Sequence, residues 1–122
     1  MTKVQETPGA GHFLLSEANG SRSRQRRTFA TGQTIKAGEV YGVVTASGDA
    51  TKLAPAATDG SQNAAGIAYS DITTTTGKGK GVGIERDAEV ATGRLFWPAG
   101  ITAPQQAAAL TALAAKGIIA RS

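Results

Sequence analysis

Few groups in this chain could do chemistry, and they are poorly spaced for it. His12 is the single histidine, and no second ligand stands within sequence reach to complete a metal site or a general-base pair. Asp59 and Ser61 could belong to a nucleophile set, but no histidine accompanies them, so they read as turn residues. Glu85, Asp87 and Glu89 alternate as a strand would place them, and three carboxylates on one edge face could hold a cation. With Arg86 and Arg94 close by, a mixed surface charge is the expected outcome. Gly77-Lys78-Gly79-Lys80-Gly81 has the composition of a phosphate loop without its spacing, and no helix follows. The absence of cysteine removes thiolate metal sites, disulfides and cysteine nucleophiles. The expectation is a protein that is not an enzyme and binds no metal or cofactor.

The most conspicuous charged feature is Arg22-Ser23-Arg24-Gln25-Arg26-Arg27, which supplies much of a modest net charge of +4. Arginines offer forks that match phosphate, and counterion release would drive nucleic-acid binding. No aromatic residue interleaves with the run, however, so bases would find no stacking platform. A solvated face or an acidic protein partner is the expected reading. A small basic β-barrel that binds nucleic acid is the alternative. A carbohydrate-binding accessory domain is disfavoured by the scarcity of aromatics: three Phe, two Tyr and one Trp. Trp97 is expected in a core or an interface rather than in a ligand stack.

The elements that must carry these groups are short strands. Sixteen glycines and a heavy use of Ala and Thr favour strands and turns over a helical bundle. The segment Leu53–Tyr69 is the expected organising element: an apolar start closed by Pro55, the Asp59-Gly60-Ser61 turn, then an extended Gly66-Ile67-Ala68-Tyr69. Gly66 is expected where a side chain would keep another backbone away, with Ile67 and Tyr69 on one face. Further strands are predicted at 28–31, 39–46, 51–54, 82–86, 88–91 and 118–121, and 73–81 is predicted to be an exposed hairpin loop. One helix is predicted. Thr102 caps it, Pro104 sits in its first turn, Gln105 completes a capping box, and Gly117 stops it. Leu110 and Leu113 give it a narrow apolar stripe.

Residues 1–20 are predicted to be an extended arm, with a β domain over 21–122. The arm is polar and glycine-rich, and Ser16–Gly20 is predicted to end it as a turn. The N-terminus lacks the apolar core of a signal peptide and no run is long enough to span a membrane, so a soluble protein is expected. A domain with so few large apolar side chains gains little from burial, which makes self-association an expectation.

Three stretches together resemble the lambda-type head decoration proteins of tailed bacteriophages. They are Glu17-Ala18-Asn19-Gly20 with Ser23-Arg24 leading into Thr28-Phe29-Ala30; Ala64-Ala65-Gly66-Ile67 after Asp59-Gly60; and Leu95-Phe96-Trp97-Pro98 followed by a helix and Gly117-Ile118-Ile119-Ala120-Arg121. The resemblance implies a mainly β fold of β-clip or small-barrel type, with one C-terminal α-helix and an extended N-terminal arm. It implies a homotrimer on the outer capsid surface of the virion, made in the host cytoplasm. There it would clamp the major capsid protein at three-fold and quasi-three-fold sites of the expanded head, with no membrane and no direct nucleic-acid contact. On this reading Val4, Phe13, Leu14, Leu15, Arg22, Arg24, Arg26 and Arg27 are the expected capsid-binding residues. Phe96, Trp97, Pro98, Ile118 and Ile119 are the expected trimer or core contacts.

Overall fold

The computed structural model describes residues 10–18 and 22–121. Its centre is a closed five-stranded barrel built from β2 (Arg24–Phe29), β4 (Val40–Val43), β5 (Ala50–Lys52), β6 (Gly66–Ala68) and β8 (Gly79–Ile84), in the order β2-β5-β4-β6-β8. Beside it lies a three-stranded sheet in which β9 (Ala88–Ala91) is flanked by β1 (Leu14–Glu17) and β10 (Ile118–Arg121). A two-stranded ribbon pairs β3 (Thr34–Ile35) with β7 (Ile72–Thr73), and a single α-helix, α1, spans Ala103–Ala114. The fold is thus mainly β with a small barrel and one C-terminal helix, in line with the expected class.

The barrel is narrow, and its interior is organised by one ring. Tyr41 is fully buried and packs edge-on against Phe29 with centroids 5.3 Å apart. Backbone on the facing strands must come very close to that ring. A Cβ at Gly83 would lie 1.9 Å from the Tyr41 hydroxyl, and one at Gly66 would lie 2.8 Å from both that hydroxyl and the Ile84 carbonyl oxygen. The close approach expected at Gly66 is therefore present, and Gly83 serves the same ring from the next strand. Ile35, Ala50, Ala68 and Ile72 complete this first core.

A second core fills the space between barrel, sheet and helix, with Phe13, Val40, Leu53, Ile67, Ile84, Val90, Leu95, Leu113 and Ile118 buried together. Tyr69 packs against it, on the same side as Ile67. Helix α1 starts as expected: Gln105 N–H donates to the Thr102 hydroxyl and the Gln105 side chain accepts from Thr102 N–H, a reciprocal capping box. The helix buries Ala109 and Leu113, four residues apart, while Leu110 only packs at the margin. The apolar stripe is therefore shifted by one position from the Leu110/Leu113 expectation, because the small Ala109 lets the helix sit close to the sheet.

Four sequence expectations differ from the structure. Residues 11–17 are docked rather than arm-like: Gly11 N–H donates to the Tyr69 carbonyl, Ala91 N–H to the Phe13 carbonyl, and β1 pairs antiparallel with β9. The predicted Ser16–Gly20 turn therefore begins within a strand, and Asn19-Gly20 lies outside the described residues. Strand β2 begins at Arg24, so the arginine run is itself part of the barrel wall. The 73–81 loop is shorter than expected, with bends at 75–77 and exposed side chains at 75, 76 and 78, because Thr73 is paired and Thr74 is buried. The Thr74 hydroxyl accepts from Gln33 N–H and donates to the Ala30 carbonyl, and β8 resumes at Gly79. Finally, β8 and β9 are not one continuing strand. Asp87 adopts φ 51° at the corner where the chain leaves the barrel for the sheet.

Candidate functional site

The arginines of β2 divide into two kinds, and the strand alternation is the reason. Residues 25, 27 and 29 face glycines of β8, with Gln25 opposite Gly83, Arg27 opposite Gly81 and Phe29 opposite Gly79. Arg27 accordingly reaches across the barrel wall to Glu85. Its Nε and Nη2 donate to the two carboxylate oxygens at 2.7 and 2.9 Å, and the Tyr41 hydroxyl donates to the same carboxylate at 2.6 Å. Glu85 is 6% exposed. Burial, reinforced by the negative charge of Glu85 beside it, pushes the Tyr41 phenol well above the ordinary tyrosine range. The expectation of a surface mixture at Glu85 is thus corrected: its partner is Arg27, 58 positions away, and not Arg86 or Arg94.

Arg24 is also engaged. Its Nη2 and Nε donate to Glu17 at 2.7 and 3.2 Å, and its guanidinium lies 4.2 Å from the centroid of the Tyr69 ring. The Arg24 hydrogen bonds hold the Glu17 carboxyl below the usual carboxylate range against the opposing effect of burial, with a further hydrogen bond from the buried Ser23 hydroxyl. Arg86 donates to the Arg22 and Arg24 carbonyls and to Gln25 Oε1, which fixes the entry of β2. Arg22 and Arg26, by contrast, are exposed.

The other expected contact residues scatter. Phe13 is fully buried in the second core: Ala91 of β9 donates to its carbonyl, β1 pairs with β9 immediately after it, and Gly11 N–H donates to the Tyr69 carbonyl just before it. It belongs to the body, not to the surface of an arm. Leu14 is half-buried, and Leu15 is 52% exposed on β1, which has a paired neighbour on one side only. Val4 lies outside the described residues. Phe96, Trp97 and Pro98 are half-buried, and Trp97 packs against the second core. The Phe96 backbone bridges Glu39 in parallel, and its ring meets His12 with centroids 6.0 Å apart. Ile118 is a core residue, whereas Ile119 is 41% exposed on β10.

The groups first considered for chemistry are tied into structural contacts. His12 Nε2 bonds the Ala37 carbonyl at 2.8 Å, and Arg94 donates to the His12 carbonyl. The Ser61 hydroxyl donates to Asp59 at 2.6 Å within a turn, and this bond holds the Asp59 carboxyl below its ordinary range. Glu89 pairs with Arg121 at 2.8 Å and accepts from Ser16. Among the described residues no three His, Cys, Asp or Glu side chains gather as a metal site would need, and no helix is long and apolar enough to cross a membrane. Two clefts border α1: one of about 150 Å³ lined by Leu53, Gln62, Ala64, Gln105 and Ala109 among others, and a more open one of about 500 Å³ lined by Val43, Gly60, Ala65, Ala112 and Lys116 among others.

What remains accessible is a set of surfaces: the exposed cations of the barrel wall, the apolar Leu15 and Ile119 on the outer strands of the three-stranded sheet, and the half-buried 96–98 cluster. Curated proteins offer no match to the chain. The family model described as bacteriophage lambda head decoration protein D matches residues 3–118. Spanning both cores, the helix and every strand up to the first residue of β10, that match places the chain in the family of bacteriophage lambda head decoration protein D, structural proteins of the phage head.

Proposed function

We infer that this protein is a non-enzymatic cement subunit. It binds as a homotrimer to the outer surface of the expanded head, at three-fold and quasi-three-fold positions, where it clamps neighbouring copies of the major capsid protein. It acts by linkage: it binds the assembled shell and not its loose parts, so occupied sites stabilise the shell by mass action. At a free concentration about 100-fold above Kd, each site contributes about 2.7 kcal/mol.

The family match over residues 3–118 carries this reading. The side chains of His12, Asp59, Ser61, Glu85 and Glu89 support it, since they are spent on internal hydrogen bonds. Residues 1–9, including Val4, with the free side of β1 and its exposed Leu15, supply the strand-pairing contact to the capsid. Arg22 supplies charge to that contact, and Arg26 offers charge to the capsid from the barrel wall. Phe96, Trp97, Pro98 and Ile119 supply the trimer contact, with Ile118 holding β10 to the core beneath them.

Light scattering of the purified protein, followed by co-sedimentation with empty heads before and after expansion, tests the proposal. Binding to expanded heads with little binding to unexpanded ones is the expected result. Equal binding to both, or none to either, refutes it.

A further inference from the structure

The outer face of the β2–β8 ribbon carries charge that no acidic side chain among the described residues neutralises. On this face Arg26 stands opposite Val82, and Thr28 stands opposite Lys80. Arg26 and Lys80 are both exposed, and they are diagonal neighbours across the ladder, a spacing of about 7–8 Å between backbones. Lys80 Nζ donates to the Thr28 hydroxyl at 2.8 Å, which holds the ammonium over the strand pair. The ion pairs among the described residues engage Arg24, Arg27, Lys52, Lys78 and Arg121, and none engages Arg22, Arg26 or Lys80. Two like charges at this spacing repel each other, so the free protein maintains the arrangement at a small cost in stability.

We propose that this ribbon face is a second capsid contact, separate from the N-terminal arm, and that it receives an acidic extended segment of the shell protein. The inference rests on the reading of this chain as a capsid-binding subunit. The partner's chemistry follows from the face. Among the described residues neither Arg26 nor Lys80 has a carboxylate partner, and carboxylates at every second position of an extended chain repeat at about 6.6–7 Å, close to the diagonal backbone spacing that carries the two side chains. The Arg26 fork donates two hydrogen bonds to one carboxylate, and Lys80, steered by Thr28, meets the next as a point charge. Val82 between them supplies a half-buried apolar floor. Nucleic acid fits less well, because the residues facing Arg26 and Thr28 are Val82 and Lys80, and the Tyr69 ring beside Arg24 is half-buried and already covered by that guanidinium.

The test compares wild type, the charge reversal R26E/K80E and the charge-preserving swap R26K/K80R, all as full chains, binding to expanded empty heads of the cognate phage. The expected result is a loss of at least about tenfold in affinity for R26E/K80E at low salt, with a flattened salt dependence. R26K/K80R keeps the charge but gives up the bidentate fork at position 26, so its affinity should fall between those of wild type and R26E/K80E. Thermal melts of all three should coincide within a few degrees, since both side chains are exposed. If R26E/K80E binds like wild type while wild type binds heads well, the ribbon contact is refuted and the cement reading survives. If wild type fails to bind heads at all, both fall. Salt-dependent binding of wild type to an oligo-dT that competes with heads and is lost in R26E/K80E assigns the face to nucleic acid and overturns the proposal.

Discussion

Truncating Glu85 is the sharpest test of how the barrel is held. The carboxylate is 6% exposed and accepts two hydrogen bonds from Arg27 and one from Tyr41. Glu85→Ala leaves a guanidinium and a phenol without their acceptor. Breaking a buried pair on one side costs about 3–5 kcal/mol. The Arg27 side chain is 30% exposed and can regain water, which moves the expected cost to the lower end of that range. Tyr41 has no such relief, being fully buried, and stranding its hydroxyl contributes about 1–3 kcal/mol of the total. The ring cannot swing away, because the walls at Gly66 and Gly83 already touch it. We therefore expect a loss of about 3–4 kcal/mol, a large share of a domain stability of about 5–15 kcal/mol. Urea titration followed by circular dichroism should show a lower midpoint at unchanged slope. A double-mutant cycle with Arg27→Met should give a coupling of at least about 1.5 kcal/mol. A cost below about 1 kcal/mol, or strict additivity with Arg27→Met, would refute the idea that this triad fastens the barrel wall.

Three further outcomes follow from the same structure. Deleting residues 2–9 should leave the melting temperature nearly unchanged while weakening head binding. Deleting 2–15 should also cost stability by about 3–5 kcal/mol or more, because it removes buried Phe13 and half of β1, and comparing the two melts separates the effects. Folded-state depression of the Glu17 carboxyl gives stability that is present above about pH 4.3, the ordinary glutamate value, and lost as pH falls below it. Melts should be flat at mild pH and drop in acid, and Arg24→Met should reduce that drop. The raised Tyr41 phenol works in the opposite sense: its contribution is intact below about pH 10 and lost above it. An absorbance titration should show one of the two tyrosines ionising only as the protein unfolds.

How much of this was legible in the sequence varied with the range of the signal. Local signals read well. The Thr102–Gln105 capping box, the Gly117 stop and the close approach at Gly66 each depend on a few neighbouring residues, and each is present. Signals that depend on pairing read poorly. Arg27 meets Glu85 only because β2 and β8 close the barrel, and nothing within either strand marks the partner. The same closure gives strand structure to Arg24–Arg27, which a charge run does not suggest. Phe13 reads as part of an arm because its short apolar patch, Phe13-Leu14-Leu15, follows a polar, glycine-rich stretch with no regular element of its own. Its burial depends on β9, more than seventy positions away, supplying both hydrogen bonds and a core. The split between spent and available arginines follows from strand alternation, yet it can be seen only once the strand's beginning is known.

The central claim is linkage between this protein and an assembled shell, and calorimetry of expanded empty heads measures it most directly. Titrating the protein into the heads should raise the temperature of the shell transition steadily with the logarithm of free concentration, while unexpanded heads show no such rise. A shell transition that stays fixed at saturating protein would contradict the claim, however well the protein itself folds.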